Sequence, residues 1–157
     1  MVSICVVFAV GDDIVQKLKS LPVKERKDFV LGYTDNDYFG SHILAIEELD
    51  DQWNMVFQFL KEDKEYGIDF MRNGENLNEA DDDCMYLLVH KSYIETAFDQ
   101  LEMWNPVSIA RKYLELVQHN HETLSFSDVT YYLDVLKRIC IEALKAHGTI
   151  LFSLEPY

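Results

Sequence analysis

The chain has 157 residues, a length typical of one domain, and 48% of them are hydrophobic, which is enough apolar material for a folded core. Its formal net charge is −14 at pH 7, which argues against binding to nucleic acid, because that binding depends on Lys and Arg side chains that replace counterions at the phosphates. No apolar stretch approaches the ~18 residues of a membrane-spanning helix, and no linker or repeat divides the sequence, so we predict one soluble domain over residues 1–157.

Three cysteines lie far apart and inside apolar runs: Cys5, Cys84 and Cys140. This pattern favours small buried hydrophobic residues in a reducing compartment over a disulfide framework. No Cys or His spacing is typical of a metal site. We therefore expect a cytoplasmic protein without a metal or other cofactor. Residues 2–10 also resemble the apolar part of a signal peptide, but no Lys or Arg precedes them, which favours a first strand.

The first quarter of the sequence contains one strand signal and two helix signals. Ser3–Val10 is a nearly continuous apolar run rich in β-branched residues, which predicts a strand covered on both faces. Residues 11–13 provide a turn and a helix cap, and Pro22 is typical of the start of a second short helix. A loop is predicted over residues 32–41. It matches three positions of a calcium-binding loop, but Phe39 and Ile46 stand where oxygen ligands are required, so we interpret it as a turn.

The next segment carries most of the negative charge. Apolar residues recur every three or four positions and predict a helix over residues 45–61. From residue 62 to residue 83 this periodicity disappears, which predicts a long polar loop. Between Glu47 and Asp83 there are thirteen acidic residues against three basic ones, or −10 of the net −14. We expect this segment to dominate the electrostatic field and to attract basic partners.

The second half alternates apolar runs with helix signals. Cys84–Val89 and Thr149–Leu154 predict two more buried strands. Three helices are predicted between them, each opened by residues typical of a helix start: Ser92 with Glu95, Asn105 with Pro106, and Ser125 with Asp128. Gly148 should end the last helix in the left-handed conformation. The predicted fold is a single compact α+β domain, with a small mixed sheet of about three or four strands and about six helices.

Three segments also carry a family resemblance: Leu49-Asp50-Asp51-Gln52-Trp53 with the apolar residues after it, Tyr86–Val89 running into the next helix, and Val129–Leu154. Together they resemble the YfbM-like bacterial family, whose function is unknown. The resemblance covers residues 45–155 and implies a compact mixed α/β fold without catalytic residues to carry over. Asp82-Asp83-Cys84-Met85 departs from the Gly-Pro-Ala-Arg-like sequence expected there, so a ligand shared with the family is in doubt.

The candidate ligand or partner surface consists of acidic residues: Glu47, Asp50, Asp51, Asp81, Asp82 and Asp83. On a helix, Glu47 and Asp51 would share one face and present paired carboxylates, although an ordinary solvated face has the same composition. The sequence contains no nucleophile elbow, phosphate-binding loop or dinucleotide motif. His119 and His121 fall where a helix ends, and we interpret them as capping residues rather than metal ligands.

We therefore expect a non-enzymatic binding module that meets a basic protein partner, for example as an immunity protein that neutralises a toxin. The alternative is a small hydrolase-like or ligand-binding enzyme that combines carboxylates of the 45–61 helix with His42 or His90. Convergence of those groups around a concave pocket would favour the enzyme. A third interpretation is a homo-oligomer joined by exposed aromatic residues, so the sequence leaves open whether the chain is a monomer.

Overall fold

The computed structural model describes residues 3–32, 42–49, 52–63, 67–78, 84–103, 105–117 and 124–156. Within these ranges the fold is α+β, with five strands in one sheet and six helices packed against it. The strands are β1 (Ser3–Val10), β2 (Ile43–Leu49), β3 (Gly74–Asn76), β4 (Met85–Val89) and β5 (Thr149–Pro156). The helices are α1 (Asp12–Ser20), α2 (Val23–Leu31), α3 (Trp53–Glu62), α4 (Lys91–Met103), α5 (Pro106–Val117) and α6 (Phe126–Lys145). None of these helices combines the length and apolarity that crossing a membrane requires.

The sheet has the strand order β2-β1-β5-β4-β3, and every neighbouring pair is antiparallel. The prediction of a mixed sheet with three or four strands is therefore wrong in direction and in number. The first and last predicted strands lie side by side, because β1 and β5 pair from Ser3 opposite Pro156 to Val10 opposite Thr149. Since β5 is the central strand, the last residues of the chain complete the sheet rather than extend its edge.

Helices cover both faces of the sheet and form two hydrophobic cores. Cys5, Val7 and Ala9 of β1 lie in the larger core, which also contains buried residues of α3, α4, α5 and α6. Phe8 and Val10 point to the opposite face and pack with α1 and α2. Successive side chains of a strand alternate between faces, so a strand covered on both sides has to be apolar throughout. This confirms the interpretation of the first apolar run.

The predicted 45–61 helix is wrong over its first part. Residues 43–49 form β2, and their exposure alternates with the period of two that is characteristic of a strand. They pair with the edge of β1, from Leu49 opposite Cys5 to Ile43 opposite Val10. Ile46, counted in the helical stripe, lies on β2 with 37% of its surface exposed. Pairing with β1 prevails over the helical spacing of a few apolar residues.

Residues 67–78 also differ from the predicted polar loop. Ile68, Phe70 and Leu77 are buried, and Gly74–Asn76 forms β3, which pairs with β4. The side chain of buried Asn78 donates a hydrogen bond to the carbonyl oxygen of Cys84, 3.2 Å away. The segment is therefore part of the packed structure, because its few apolar residues fall at positions that face the sheet and α4.

Arg26 joins three separate parts of the chain on the face covered by α1 and α2. Its guanidinium donates hydrogen bonds to the backbone carbonyls of Lys19, Leu21 and Leu77, at 3.2, 3.2 and 2.9 Å. A guanidinium can reach several carbonyls at once because its donors point in fixed, divergent directions. One side chain therefore connects the junction between α1 and α2 to the residue that follows β3.

The predicted helix starts are confirmed for α5 and α6. The Asn105 Oδ1 atom accepts a hydrogen bond from the Val107 amide at 2.9 Å, and Ser125 with Asp128 forms a capping box. Helix α4 begins at Lys91, so Ser92 lies inside its first turn and not at the cap.

Helix α6 is followed by a left-handed residue, as predicted, but this residue is not the predicted glycine. The left-handed residue is His147, with φ of 52°, and not Gly148. The amides of His147 and Gly148 donate to the carbonyls of Leu144 and Ala143, the hydrogen-bond pattern of a Schellman motif. Gly148 is required for a different reason, since a Cβ atom there would lie 2.4 Å from the carbonyl oxygen of Val10.

Candidate functional site

The predicted acidic surface is only partly described. Glu47 lies on β2, and its Oε1 atom is 3.0 Å from Nη1 of Arg138 on α6. The carboxylate is therefore ion-paired and does not share a helical face with Asp51, so the predicted arrangement of paired carboxylates is wrong. The remaining candidates fall outside the described residues: Asp50, Asp51, Asp81, Asp82 and Asp83.

The histidines of the enzyme alternative lie at the starts of two different elements. His42 precedes β2 and His90 precedes α4, and both are exposed. Over the ranges that the structure describes, no group of three or more His, Cys, Asp or Glu side chains is suited to hold a metal ion. His119, His121 and most of the calcium-like loop lie outside these ranges.

The three cysteines are buried and free, as predicted for small hydrophobic residues. Burial raises the pKa of the Cys5 thiol and raises the pKa of Cys140 to about 12. Both thiols are therefore protonated at neutral pH, whereas a nucleophilic cysteine acts as the thiolate. Their environment is that of structural residues.

The described residues form a cleft of about 260 Å³ beside α3, which we name the α3 cleft. One wall is α3, the opposite wall is the segment 68–71, and the floor comes from β4, β5 and α6. Its lining residues are Trp53, Asn54, Phe57, Gln58, Leu60, Lys61, Ile68, Asp69, Phe70, Met71, Leu87, Leu136, Phe152 and Leu154. Most of these side chains are apolar, so the cleft presents hydrophobic surface that is partly open to solvent.

The wall formed by α3 results from an amphipathic sequence. Trp53, Val56 and Leu60 are buried against the larger core, at the three- and four-residue spacing that predicted a helix in this segment. The polar residues Asn54, Gln58 and Lys61 face the other way and form the rim of the cleft. Just after α3 ends, Asp63 pairs with Lys112 of α5 at 2.8 Å, and its side chain is only 7% exposed. This ion pair ties the end of the wall to the helical layer.

Hydrogen bonds hold the opposite wall in place. The Asp69 amide donates to the hydroxyl oxygen of Tyr93 at 3.0 Å, and Oδ1 of Asp69 accepts from the Arg72 amide at 3.0 Å. The side-chain amide of Asn73 donates to the Asp69 carbonyl at 2.8 Å. Burial and the nearby Asp69 carboxylate raise the pKa of Tyr93, while its hydrogen bond with the Asp69 amide lowers it, and the net direction is upward. Tyr93 is therefore a neutral anchor for this wall.

Aromatic rings line the interior of the cleft. Phe57 packs edge-to-face on Phe152 with ring centroids 5.7 Å apart, and Phe70 lies 5.3 Å from Phe152. Trp53 packs edge-to-face on Phe57 at 5.0 Å. Edge-to-face contacts at these distances are favourable, and the ring of a ligand could extend the same pattern.

The lining residues of the cleft carry few polar groups. Their charged side chains are Lys61 and Asp69, and the carboxamides of Asn54 and Gln58 lie beside them. The described lining contains no His, Cys, Ser or Thr. An apolar cavity with a few polar groups at its rim is typical of sites that bind a ligand.

Sequence reasoning found one wall of the cleft and missed the other. The apolar stripe of α3 placed Trp53 in the core, but Asp69 and Phe70 were assigned to a polar loop. The available signal was the alternation of apolar and polar residues through Ile68, Asp69 and Phe70, which is the period of extended chain.

Comparisons with known proteins support the fold. No protein-family model matches the sequence, and no curated protein matches it either. Among solved structures, the chain is similar to the crystal structure of YfbM from Escherichia coli, a protein of unknown function, with a TM-score of 0.57 and 15% sequence identity. The match covers 96% of this chain and 99% of that chain. The chain therefore has a YfbM-like fold, and at this identity the similarity concerns the fold alone.

Proposed function

We propose that this protein is a non-enzymatic binding module, that its partner is a basic protein, and that the partner docks at the α3 cleft. The observation that carries the proposal is the position of the cleft. Both of its walls, α3 and residues 68–71, belong to the segment between residues 47 and 83, which carries −10 of the net charge of −14. Both walls of an exposed apolar cavity thus come from the most acidic part of the sequence.

The size of the cavity favours a protein partner over a small-molecule substrate. At about 260 Å³ it is smaller than the roughly 300–1,000 Å³ of pockets that enclose drug-sized ligands. Protein interfaces commonly depend on one or two aromatic or Arg side chains that enter a small pocket, with weaker contacts around it. The cleft has the dimensions of such a pocket.

The charge of the chain supports a basic partner. Complementary charge increases the rate of encounter and disfavours acidic competitors, and both effects weaken as salt screens the field. Neutralisation of a basic toxin by an immunity-type protein is one function of this kind. A cytoplasmic location agrees with the three free, buried cysteines.

The proposal is tested with dye-labelled model peptides and fluorescence anisotropy. A Lys-rich peptide that contains aromatic residues should bind the protein at low ionic strength, and raising the salt from about 20 mM to about 200 mM should weaken binding at least tenfold. A Glu-rich peptide with the same aromatic residues is the matched control and should not bind. Failure of the Lys-rich peptide to bind at low salt, or binding that is insensitive to salt, would contradict the proposal.

A further inference from the structure

We infer that the α3 cleft accommodates a single aromatic side chain of the partner, and that a basic residue next to this anchor pairs with Asp69. The inference rests on the proposed function and identifies the chemistry of the docking segment. It follows from the volume of the cavity, the rings that line it and the charges at its rim.

The cavity volume suits one ring and its attachment. A cavity of roughly 150 Å³ lined by apolar residues is enough to hold benzene. The α3 cleft, at about 260 Å³, therefore has room for a phenyl or indole group together with part of the backbone that carries it. A bare aliphatic residue such as Ala would leave most of this space empty and most of the apolar lining in water.

Phe57 offers the accessible aromatic surface of the cleft. Phe57 and Phe152 are nearly perpendicular, at 87°, whereas Phe70 and Phe152 are inclined at 49°. Phe70 and Phe152 are almost fully buried, whereas Phe57 is only partly buried. An inserted aromatic ring would therefore contact mainly Phe57, in the edge-to-face or offset geometry that aromatic pairs prefer.

The rim gives the bound segment a direction. Asp69 lies on one wall and Lys61 on the other, so a basic residue of the partner is favoured beside Asp69 and disfavoured beside Lys61. The Asp69 backbone is fixed by the hydrogen bonds with Tyr93 and Asn73, which keeps the carboxylate at the edge of the cavity. The negative charge of the surrounding chain favours further basic residues at both ends of the segment.

The test compares two short Lys-rich peptides that differ only at the central residue, which is Phe in one and Ala in the other. Anisotropy titrations at fixed low salt should show that the Phe peptide binds at least about tenfold more tightly. Asn54→Trp places a large side chain at the mouth of the cleft, on an exposed position of α3, and should abolish this difference. Ser108→Trp makes the same kind of change on an exposed position of α5 outside the cleft and should preserve it. Asp69→Asn should weaken the Phe peptide when Lys is next to the anchor.

The outcomes separate this inference from the proposed function. Equal, salt-sensitive binding of both peptides would overturn the anchor but keep the basic partner, and absence of binding by either peptide would overturn both. Loss of the Phe preference in Ser108→Trp as well would also refute the cleft as its location. A small apolar probe such as indole that binds in the cleft without competition from the Phe peptide would indicate a small-molecule site instead. A doubled mass in sedimentation that Asn54→Trp reduces to a monomer would identify a second copy of the chain as the occupant.

Discussion

Gly148 is the position where a single methyl group should disturb the sheet most. A Cβ atom there would lie 2.4 Å from the Val10 carbonyl oxygen, whereas carbon and oxygen atoms in close contact are normally about 3.3 Å apart. The last residues of β1 and the first residues of β5 must therefore separate by about 1 Å. Val10 pairs with Thr149 at this end of the sheet, so the separation breaks or stretches the adjacent hydrogen bonds.

We expect Gly148→Ala to lower the free energy of unfolding by about 2–4 kcal/mol, from one or two impaired hydrogen bonds and the repacking beside them. In a domain of this size the midpoint of thermal unfolding should fall by roughly 5–15 °C. Urea and thermal unfolding followed by circular dichroism measure both quantities. Gly11→Ala is the matched control, because Gly11 directly follows Val10 and has no atom within 4 Å of its added Cβ. It should cost less than about 1 kcal/mol. Equal stabilities of the two variants would refute the close approach of β5 to β1.

Three further predictions concern stability. Arg26→Ala should destabilise the protein by about 1–3 kcal/mol in urea unfolding, because three backbone carbonyls lose their hydrogen-bond donor. Arg26→Lys should recover less than half of this loss, because one ammonium group cannot reach all three carbonyls. Full recovery with Lys would contradict the role of the guanidinium geometry. A double-mutant cycle with Glu47→Ala and Arg138→Ala should give a coupling energy below about 1 kcal/mol, because the Arg138 side chain is 56% exposed and water screens its charge. A coupling of several kcal/mol would contradict this screening. Stability should fall as the pH rises above 9.0, the unperturbed pKa of a cysteine thiol, because the unfolded chain then releases protons that Cys140 retains up to about pH 12. The slope should be smaller in Cys140→Ala, and an unchanged slope would contradict the burial of this thiol.

The sequence predicted an element correctly where the local pattern of residues and the tertiary contacts favour the same structure. The apolar run of β1, the capping box of α6 and the final strand were predicted because each signal depends on the element itself. Residues 45–49 were predicted as helix because their strand character depends on a partner, β1, far earlier in the chain. Gly148 was expected to adopt the left-handed conformation, whereas its requirement comes from Val10 across the sheet. Contacts between residues that are distant in sequence produced no local periodicity from which these two features could be predicted.

The candidate site shows the same division. Trp53 and Leu60 of the α3 wall follow from helical spacing, but the second wall depends on Phe70 packing against Phe152, more than eighty residues away. Glu47 was predicted to lie on a helix beside Asp51, and its ion pair with Arg138 could not be foreseen because it joins β2 to α6, which is distant in sequence. The net charge follows from the composition alone. The cleft could be identified only in the folded structure, because its lining residues come from several helices and strands.

Docking of a basic partner at the α3 cleft can be verified by mapping where a peptide binds. In a backbone amide NMR titration with the Lys-rich peptide that carries a central Phe, the largest shift changes should occur in residues 53–61 and 68–71, and the amides of α1 and α2 on the opposite face of the sheet should change little. Changes centred on another surface, or spread evenly over the molecule, would contradict the account.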